Sequence, residues 1–303
     1  MQLAFYTLDV FTDVRFHGNP VAVVLDADGL DTQRMQAIAR EFNLSETVFI
    51  QKPERPAHSA RMRIFTPATE IPFAGHPTVG TAALLAELRA PDFEGVHESI
   101  VVLEQTIGTV RVGVKLRQGK AAFAEFDAPR LPADEGALAS PERLASALGL
   151  IPNEIGFENH RAMRFSAGNA FAFVPVATIE AIRRARPNPE HWTPAFAGQG
   201  FIGAFLYTRQ CVHTTSAFHA RMFAPDYGVA EDPATGSAAV GLAGIVNKYD
   251  KLPDGLHKRI VEQGYEMDRP SHITLTLDVA NGRLKAVRIG GQCVRVSEGR
   301  LSV

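Results

Sequence analysis

Hydrophobic positions fall in short runs rich in β-branched and aromatic residues, the pattern of strands. In the first part of the chain these are LAFYTLDVF (3–11), PVAVVL (20–25), TVFIQ (47–51), RMRIFT (61–66), SIVVLE (99–104) and TVRVGVKL (109–116). Further runs follow at AAFAEF (121–126), AFAFVPV (170–176), FIGAFLY (201–207), ARMFA (220–224), HITLTLDV (272–279), LKAVRI (284–289) and CVRVS (293–297). Helical spacing is rarer. DTQRMQAIAREF (31–42) puts Met35, Ile38 and Phe42 on one face, and SPERLASALGL (140–150) opens with Ser140 and Pro141 at cap and first-turn positions; both read as surface helices. HPTVGTAALLAEL (76–88) and SAAVGLAGIV (237–246) are apolar or small on nearly every side, which a helix tolerates when it is enclosed. They read as core helices wrapped by strands.

The pattern also repeats. A shift of 161 residues lays EIPFAGHPTVG (70–80) on EDPATGSAAVG (231–241), matching Glu70 to Glu231, Pro72 to Pro233, Gly75 to Gly236 and Gly80 to Gly241. Upstream, RIFTP (63–67) matches RMFAP (221–225) after a three-residue insertion, and GNPVAVV (18–24) echoes GNAFAFV (168–174) at a shift of 150. Two echoes in the same order predict a duplicated unit. The first half runs over 1–116, ahead of the turn Arg117-Gln118-Gly119, and the second over 117–289.

Composition narrows the classes. With 303 residues and 46% hydrophobic content, there is ample material for two globular domains. Lys plus Arg (31) nearly balance Asp plus Glu (33) without long runs of one sign, so neither nucleic acid nor a membrane surface is the expected partner. Cys211 and Cys293 are too few and too far apart for a disulfide framework or a zinc site. The start MQLAFYTLDVF carries Asp9 and lacks the basic residues and cleavage site of a secretory leader, and no apolar run reaches membrane-spanning length; the cytoplasm is the expected compartment.

The repeated loops carry the candidate chemistry. Gly75 precedes His76-Pro77 and Gly236 precedes Ser237 at the mouths of the two core helices, with Pro77 suited to a first turn and Ser237 to an N-cap. Helix N-termini attract anions, and glycine allows close approach; two such ends facing each other across a cleft would hold a small carboxylate. A single loop of this kind reads equally well as a plain turn. Walker and GxGxxG motifs are missing, and CVHTTSAFH (211–219) is the nearest approach to a metal set, without a fourth ligand; no metal site is read. Glu46, in NLSETVFI (43–50), stands where a helix gives way to a strand among Asn43, Ser45 and Thr47. It reads either as a solvated strand-edge acid or as a general acid/base. His76, Asp232 and Ser237 could respectively exchange a proton, orient a polar group and bond a carboxylate.

Taken together, DVFTDVRFHGNPVAVV (9–24), NLSETVFI (43–50), RIFTPATEIPFAGHPTVGTA (63–82) and RMFAPDYGVAEDPATGSA (221–238) resemble the signature segments of the phenazine-biosynthesis PhzF-like family, and the similarity continues to GGQCVRVSEGRL (290–301). The resemblance implies an α+β, diaminopimelate epimerase-like fold of two pseudo-symmetric domains. Each would wrap a barrel-like β-sheet around a central helix, with residues 290–303 completing the first. It implies an isomerase, without metal or organic cofactor, that acts in the cleft between the domains, and a homodimer. The family's best-known member moves a proton between ring carbons of 2,3-dihydro-3-hydroxyanthranilate. The catalytic positions it implies are Glu46, His76, Asp232 and Ser237, with Asn19, Ser45, Gly75 and Gly236 binding substrate.

Related epimerases use one cysteine in each repeated loop, at positions held here by Ala74 and Thr235. Neither forms a thiolate, so two-cysteine racemisation is excluded. One carboxylate shuttling a proton gives tautomerisation or allylic isomerisation instead. A non-catalytic binding protein and a dehydratase using the same base remain as rival readings.

Overall fold

The computed structural model describes residues 1–196 and 200–303. The chain divides into two compact units, Met1–Asp127 with Gly290–Val303, and Ala128–Ile289.

In the first unit, strands β1 (Gln2–Val10), β2 (Asn19–Val24), β3 (Glu46–Gln51), β4 (Ala60–Phe65), β5 (Glu70–Ile71), β6 (Val96–Gln105), β7 (Gly108–Arg117) and β8 (Ala122–Asp127) accompany helices α1 (Thr32–Phe42) and α2 (Gly75–Arg89). β1 and β2 pair antiparallel, and α1 carries the chain over to a parallel β2–β3 ladder. β4 then pairs antiparallel with β3 and the short β5, and parallel with β6, which leads antiparallel through β7 to β8. α2 is enclosed, with every residue from Gly75 to Ala86 buried. Such a helix has no polar stripe to give to water, so the strands must surround it.

The second unit repeats this plan. Its strands are β9 (Ala133–Ala137), β10 (Met163–Ser166), β11 (Ala170–Pro175), β12 (Ala204–Thr208), β13 (Phe218–Ala224), β14 (Val229–Asp232), β15 (Gly255–Gln263) and β16 (Ser271–Ala280). Its helices are α3 (Pro141–Leu148), α4 (Ile179–Arg184), α5 (Pro189–Ala195) and the enclosed α6 (Gly236–Asp250). The ladders β10–β11 antiparallel, β11–β12 parallel, β12–β13 and β13–β14 antiparallel, β13–β15 parallel and β15–β16 antiparallel match, in order, those of the first unit from β1–β2 to β6–β7. A second core gathers Leu144, Leu148, Ile182 and Trp192 from α3, α4 and α5 with Ala172 and Val174 of β11.

The last strand, β17 (Arg283–Ser302), is a single run rather than two strands parted at Gly290-Gly291. A Cβ on Gly290 would lie 2.5 Å from the Glu125 Cβ and 2.7 Å from the Ala124 carbonyl oxygen, so the glycine permits close approach to β8 and makes no turn. β17 pairs with β1 antiparallel and with β8, closing the first unit's sheet into a ring. The unit boundary also differs from the one expected at residue 116. Arg117-Gln118-Gly119 is a hairpin turn, and β8 beyond it pairs antiparallel with β7, which places the division at Asp127. Five strands, β5, β9, β10, β14 and β15, and helices α4 and α5 were not marked by the hydrophobic pattern. Among the described residues, no helix is long and apolar enough to cross a membrane.

Candidate functional site

Two short-range features place Glu46. α1 is capped by Asn43, whose backbone is left-handed (φ 50°), and three residues later β3 begins with Glu46 in register with Val21 of β2. α2 begins at Gly75 behind Ala74, so His76 is its second residue. The His76 Nε2 lies 3.3 Å from Glu46 Oε2, with the ring 5% and the glutamate side chain 17% exposed.

This contact is not an ion pair. Burial drives the His76 pKa down to about 3, against the opposing pull of a hydrogen bond to the backbone of Pro20. Proline has no N–H, so its carbonyl accepts from the ring. Since Nε2 makes no hydrogen bond, the proton sits on Nδ1. The neutral ring therefore turns a lone pair toward Glu46. Asn19, the residue before Pro20, is fully buried at the start of β2, and Ser45 is half-buried immediately before Glu46.

The second loop is braced differently. Thr235 Oγ1 donates to Asp232 Oδ2 at 2.6 Å, and the Thr235 N–H donates to Gln263 Oε1 at 3.0 Å. Gln263 Nε2 in turn donates to the Asp232 carbonyl at 2.7 Å and to Thr235 Oγ1 at 3.0 Å. Ser237 is not the N-cap: α6 starts at Gly236, which puts Thr235 in the cap position and leaves Ser237, half-buried, in the first turn. The Thr235 N–H, one of the amides expected to be open to an anion, is already taken by Gln263. Nothing in the motif spacing marks Gln263 or Pro20, because a glutamine on a strand and a proline carbonyl carry no distinctive pattern.

The duplication is visible atom by atom. Arg63 Nε and Nη2 grip Glu70 Oε1 and Oε2 at 2.7 and 2.6 Å, and Arg221 Nε and Nη2 grip Glu231 Oε1 and Oε2 at 2.8 and 2.8 Å. In both units the arginine also lies over the phenylalanine two residues on, Phe65 or Phe223. Ala74 and Thr235, the positions of the epimerase cysteines, both stand at the N-cap of an enclosed helix. The Glu46–His76 pair is not duplicated. His76 corresponds to Ser237. Val21 pairs with Glu46, whereas its counterpart Phe171 faces Gly203, one residue before the Ala172–Ala204 pair. A Cβ on Gly203 would meet the Phe223 carbonyl oxygen at 2.4 Å. The same scaffold thus carries a carboxylate in one copy and leaves it no room in the other.

Of the residues in the segment 211–219, His219 is bound by Glu262 and Glu266 at 2.9 Å each. Among the described residues, no three His, Cys, Asp or Glu side chains gather to hold a metal.

Comparison with known proteins gives the same direction. Residues 8–299 match the family described as phenazine biosynthesis-like protein. An uncharacterised isomerase of Mesorhizobium japonicum is 50% identical over 100% of both chains. The trans-2,3-dihydro-3-hydroxyanthranilate isomerase of Pseudomonas aeruginosa is 36% identical over 98% of each. A solved PhzF-family phenazine biosynthesis protein of Bacillus anthracis is 27% identical, covers 100% of both chains and superposes with a TM-score of 0.89. With its two-barrel α+β architecture of the diaminopimelate epimerase type and its run of isomerase relatives, the chain belongs to the phenazine biosynthesis-like PhzF family and is an isomerase of that type.

Proposed function

We propose that Glu46 moves a proton between two carbons of a small carboxylate-bearing substrate, with His76 as its neutral partner. The observation that carries this reading is the His76 Nε2 lone pair, 3.3 Å from Glu46 Oε2. A carboxylate facing that lone pair finds no hydrogen bond there, whereas the protonated acid donates one. Glu46 as a carboxylate therefore gains a bond on taking the substrate's proton, the pair stores that single proton, and the return step delivers it to the second carbon. His76 does not relay it, because the imidazolium is inaccessible near neutral pH. A proton moved in this way by one carboxyl group calls for no cofactor. The absence of a counterpart base at Gly203 supports removal and return by the same group and speaks against stereoinversion.

Asn19, Ser45 and Gly75 in the first unit, and Asp232, Gly236 and Ser237 in the second, are the proposed substrate-holding positions. The relative's substrate, trans-2,3-dihydro-3-hydroxyanthranilate, is the first compound to assay in deuterated water, followed by other cyclic carboxylates. Glu46→Gln keeps the shape and removes the base. General acid–base catalysis contributes about 10²- to 10⁴-fold, so turnover and deuterium incorporation should fall by at least ~100-fold. A Glu46→Gln variant that turns over near the wild-type rate would overturn the assignment, and loss of water from the substrate would favour a dehydratase.

A further inference from the structure

Because the two units share one ladder, each serves as a template for the other, and the connection between β15 and β16 is one place where they differ. In the second unit Gln263 pairs with Ser271, and the seven residues 264–270 join β15 to β16; in the first, Gln105 pairs with Gly108 and only Thr106 and Ile107 intervene. The longer connection fills space with a phenol and a carboxylate. The Tyr265 ring lies 5.9 Å from His213 and 5.5 Å from His219, and its hydroxyl bonds His272 at 2.9 Å. Glu266 bonds His219 Nε2 at 2.9 Å and lies 3.9 Å from Arg221 Nε.

The register identifies the first-unit counterparts of these partners. Arg61 pairs with Glu104 as His219 pairs with Glu262, and Thr109 pairs with Glu104 as His272 pairs with Glu262. Glu104 accepts the Arg55 N–H as Glu262 accepts that of His213. Arg55, Arg61, Arg63 and Thr109 all line a cavity of about 390 Å³ that Glu46 and His76 do not line.

We propose that this cavity binds a small organic carboxylate with a flat ring, seated where the chain's own Tyr265 and Glu266 sit in the second unit. Its cationic side is available. The Arg61 guanidinium pairs with Glu54, in a pair 46% and 71% exposed, and such surface pairs are weak enough to exchange for a bidentate ligand carboxylate. Of the three acids in the wall, Glu70 is gripped by Arg63, Glu104 accepts two backbone N–H groups and bonds His58, and Glu54 is the exposed partner that the ligand displaces. The wall also includes Gln105, whose surroundings differ between the two units. Gln105 is 9% exposed and its Oε1 has no hydrogen-bond partner, whereas the equivalent oxygen of Gln263 accepts from Thr235.

The probe is 3-(4-hydroxyphenyl)propionate, which joins the phenol and the carboxylate in one molecule, titrated into the ¹⁵N-labelled full chain. Saturable binding with Kd on the order of 1 mM is expected, with shifts at the Gln105 side-chain amide. Arg61→Ala, at an exposed position, should weaken binding at least ~10-fold, as one lost charge-assisted contact does. Thr109→Phe, which fills the cavity without removing a charge, should weaken it too, and Glu46→Gln should leave it unchanged. Equal affinity in wild type and Arg61→Ala, no saturation, or loss of binding in Glu46→Gln would each overturn the proposal, the last by placing the probe at the proton-transfer pair.

Discussion

The burial of His76 has consequences that reach beyond the reaction. Its ring stays neutral in the folded chain down to a pH of about 3, whereas an unfolded histidine takes up a proton near 6.5. Between those values the unfolded state holds the extra proton, so stability contributed at this site rises with pH across the window and falls as the solution is acidified. The ring nitrogens should not titrate between pH 5 and 8, and ¹⁵N spectra should show the Nδ1–H tautomer throughout. Replacing His76 by Phe removes the lone pair; activity should drop by about tenfold or more, and the acid-side slope of stability should flatten. Glu46 and His76 were both legible in the sequence as candidates. Their pairing was not, because it depends on a proline carbonyl and on two elements brought together from 30 residues apart.

Among elements, the connection between β15 and β16 brings Glu266 against a buried pair on β13 and β15. His219 and Glu262 are fully buried and bonded to each other, and Glu266 closes the other side of the imidazole. Burial disfavours a charged His219, but the hydrogen bonds and charges of Glu262 and Glu266 outweigh it and hold its pKa above the usual value. A raised folded pKa supplies stability that is complete below about 6.5 and is lost as pH rises through the folded value. Urea midpoints should therefore decline on the alkaline side, and His219→Gln should abolish that decline. Arg221 is a second fixed point. Besides Glu231 it donates through Nη1 to the carbonyls of Ile182, Arg183 and Ala185, satisfying the end of α4. Arg221→Met leaves Glu231 and three carbonyls without their donor and should cost about 3–5 kcal/mol in urea unfolding, the range for breaking a buried pair. The more exposed Arg63–Glu70 pair should cost less. Elements that alternate cleanly or are apolar on all sides were readable. GLHKRIVEQ (255–263) was not, because the first half of β15 is largely exposed and charged residues occupy the positions that would mark a strand.

For the molecule as a whole, the internal repeat was the most informative signal, since a matched order of motifs survives where individual residues have diverged. The sequence could not show that Gly290-Gly291 lies inside one continuous strand, because a glycine pair looks the same whether it makes a turn or yields space to a neighbour. Residues Gly290–Val303 belong to the first unit and pair with β1. A chain ending at Ile289 should lose amide protection along β1 and β8 in hydrogen exchange; unchanged protection there would show that the ring is stable without its last strand.

Gly203 gives the duplication a direction. In one copy the position opposite the parallel strand holds the carboxylate of Glu46; in the other, a carbonyl lies 2.4 Å from where any side chain would begin. Redesign cannot restore symmetry by writing a second glutamate into the sequence, because the backbone of β13 would have to retreat first. A second base at this position would thus require the strands around Gly203 to be rebuilt, not a single substitution.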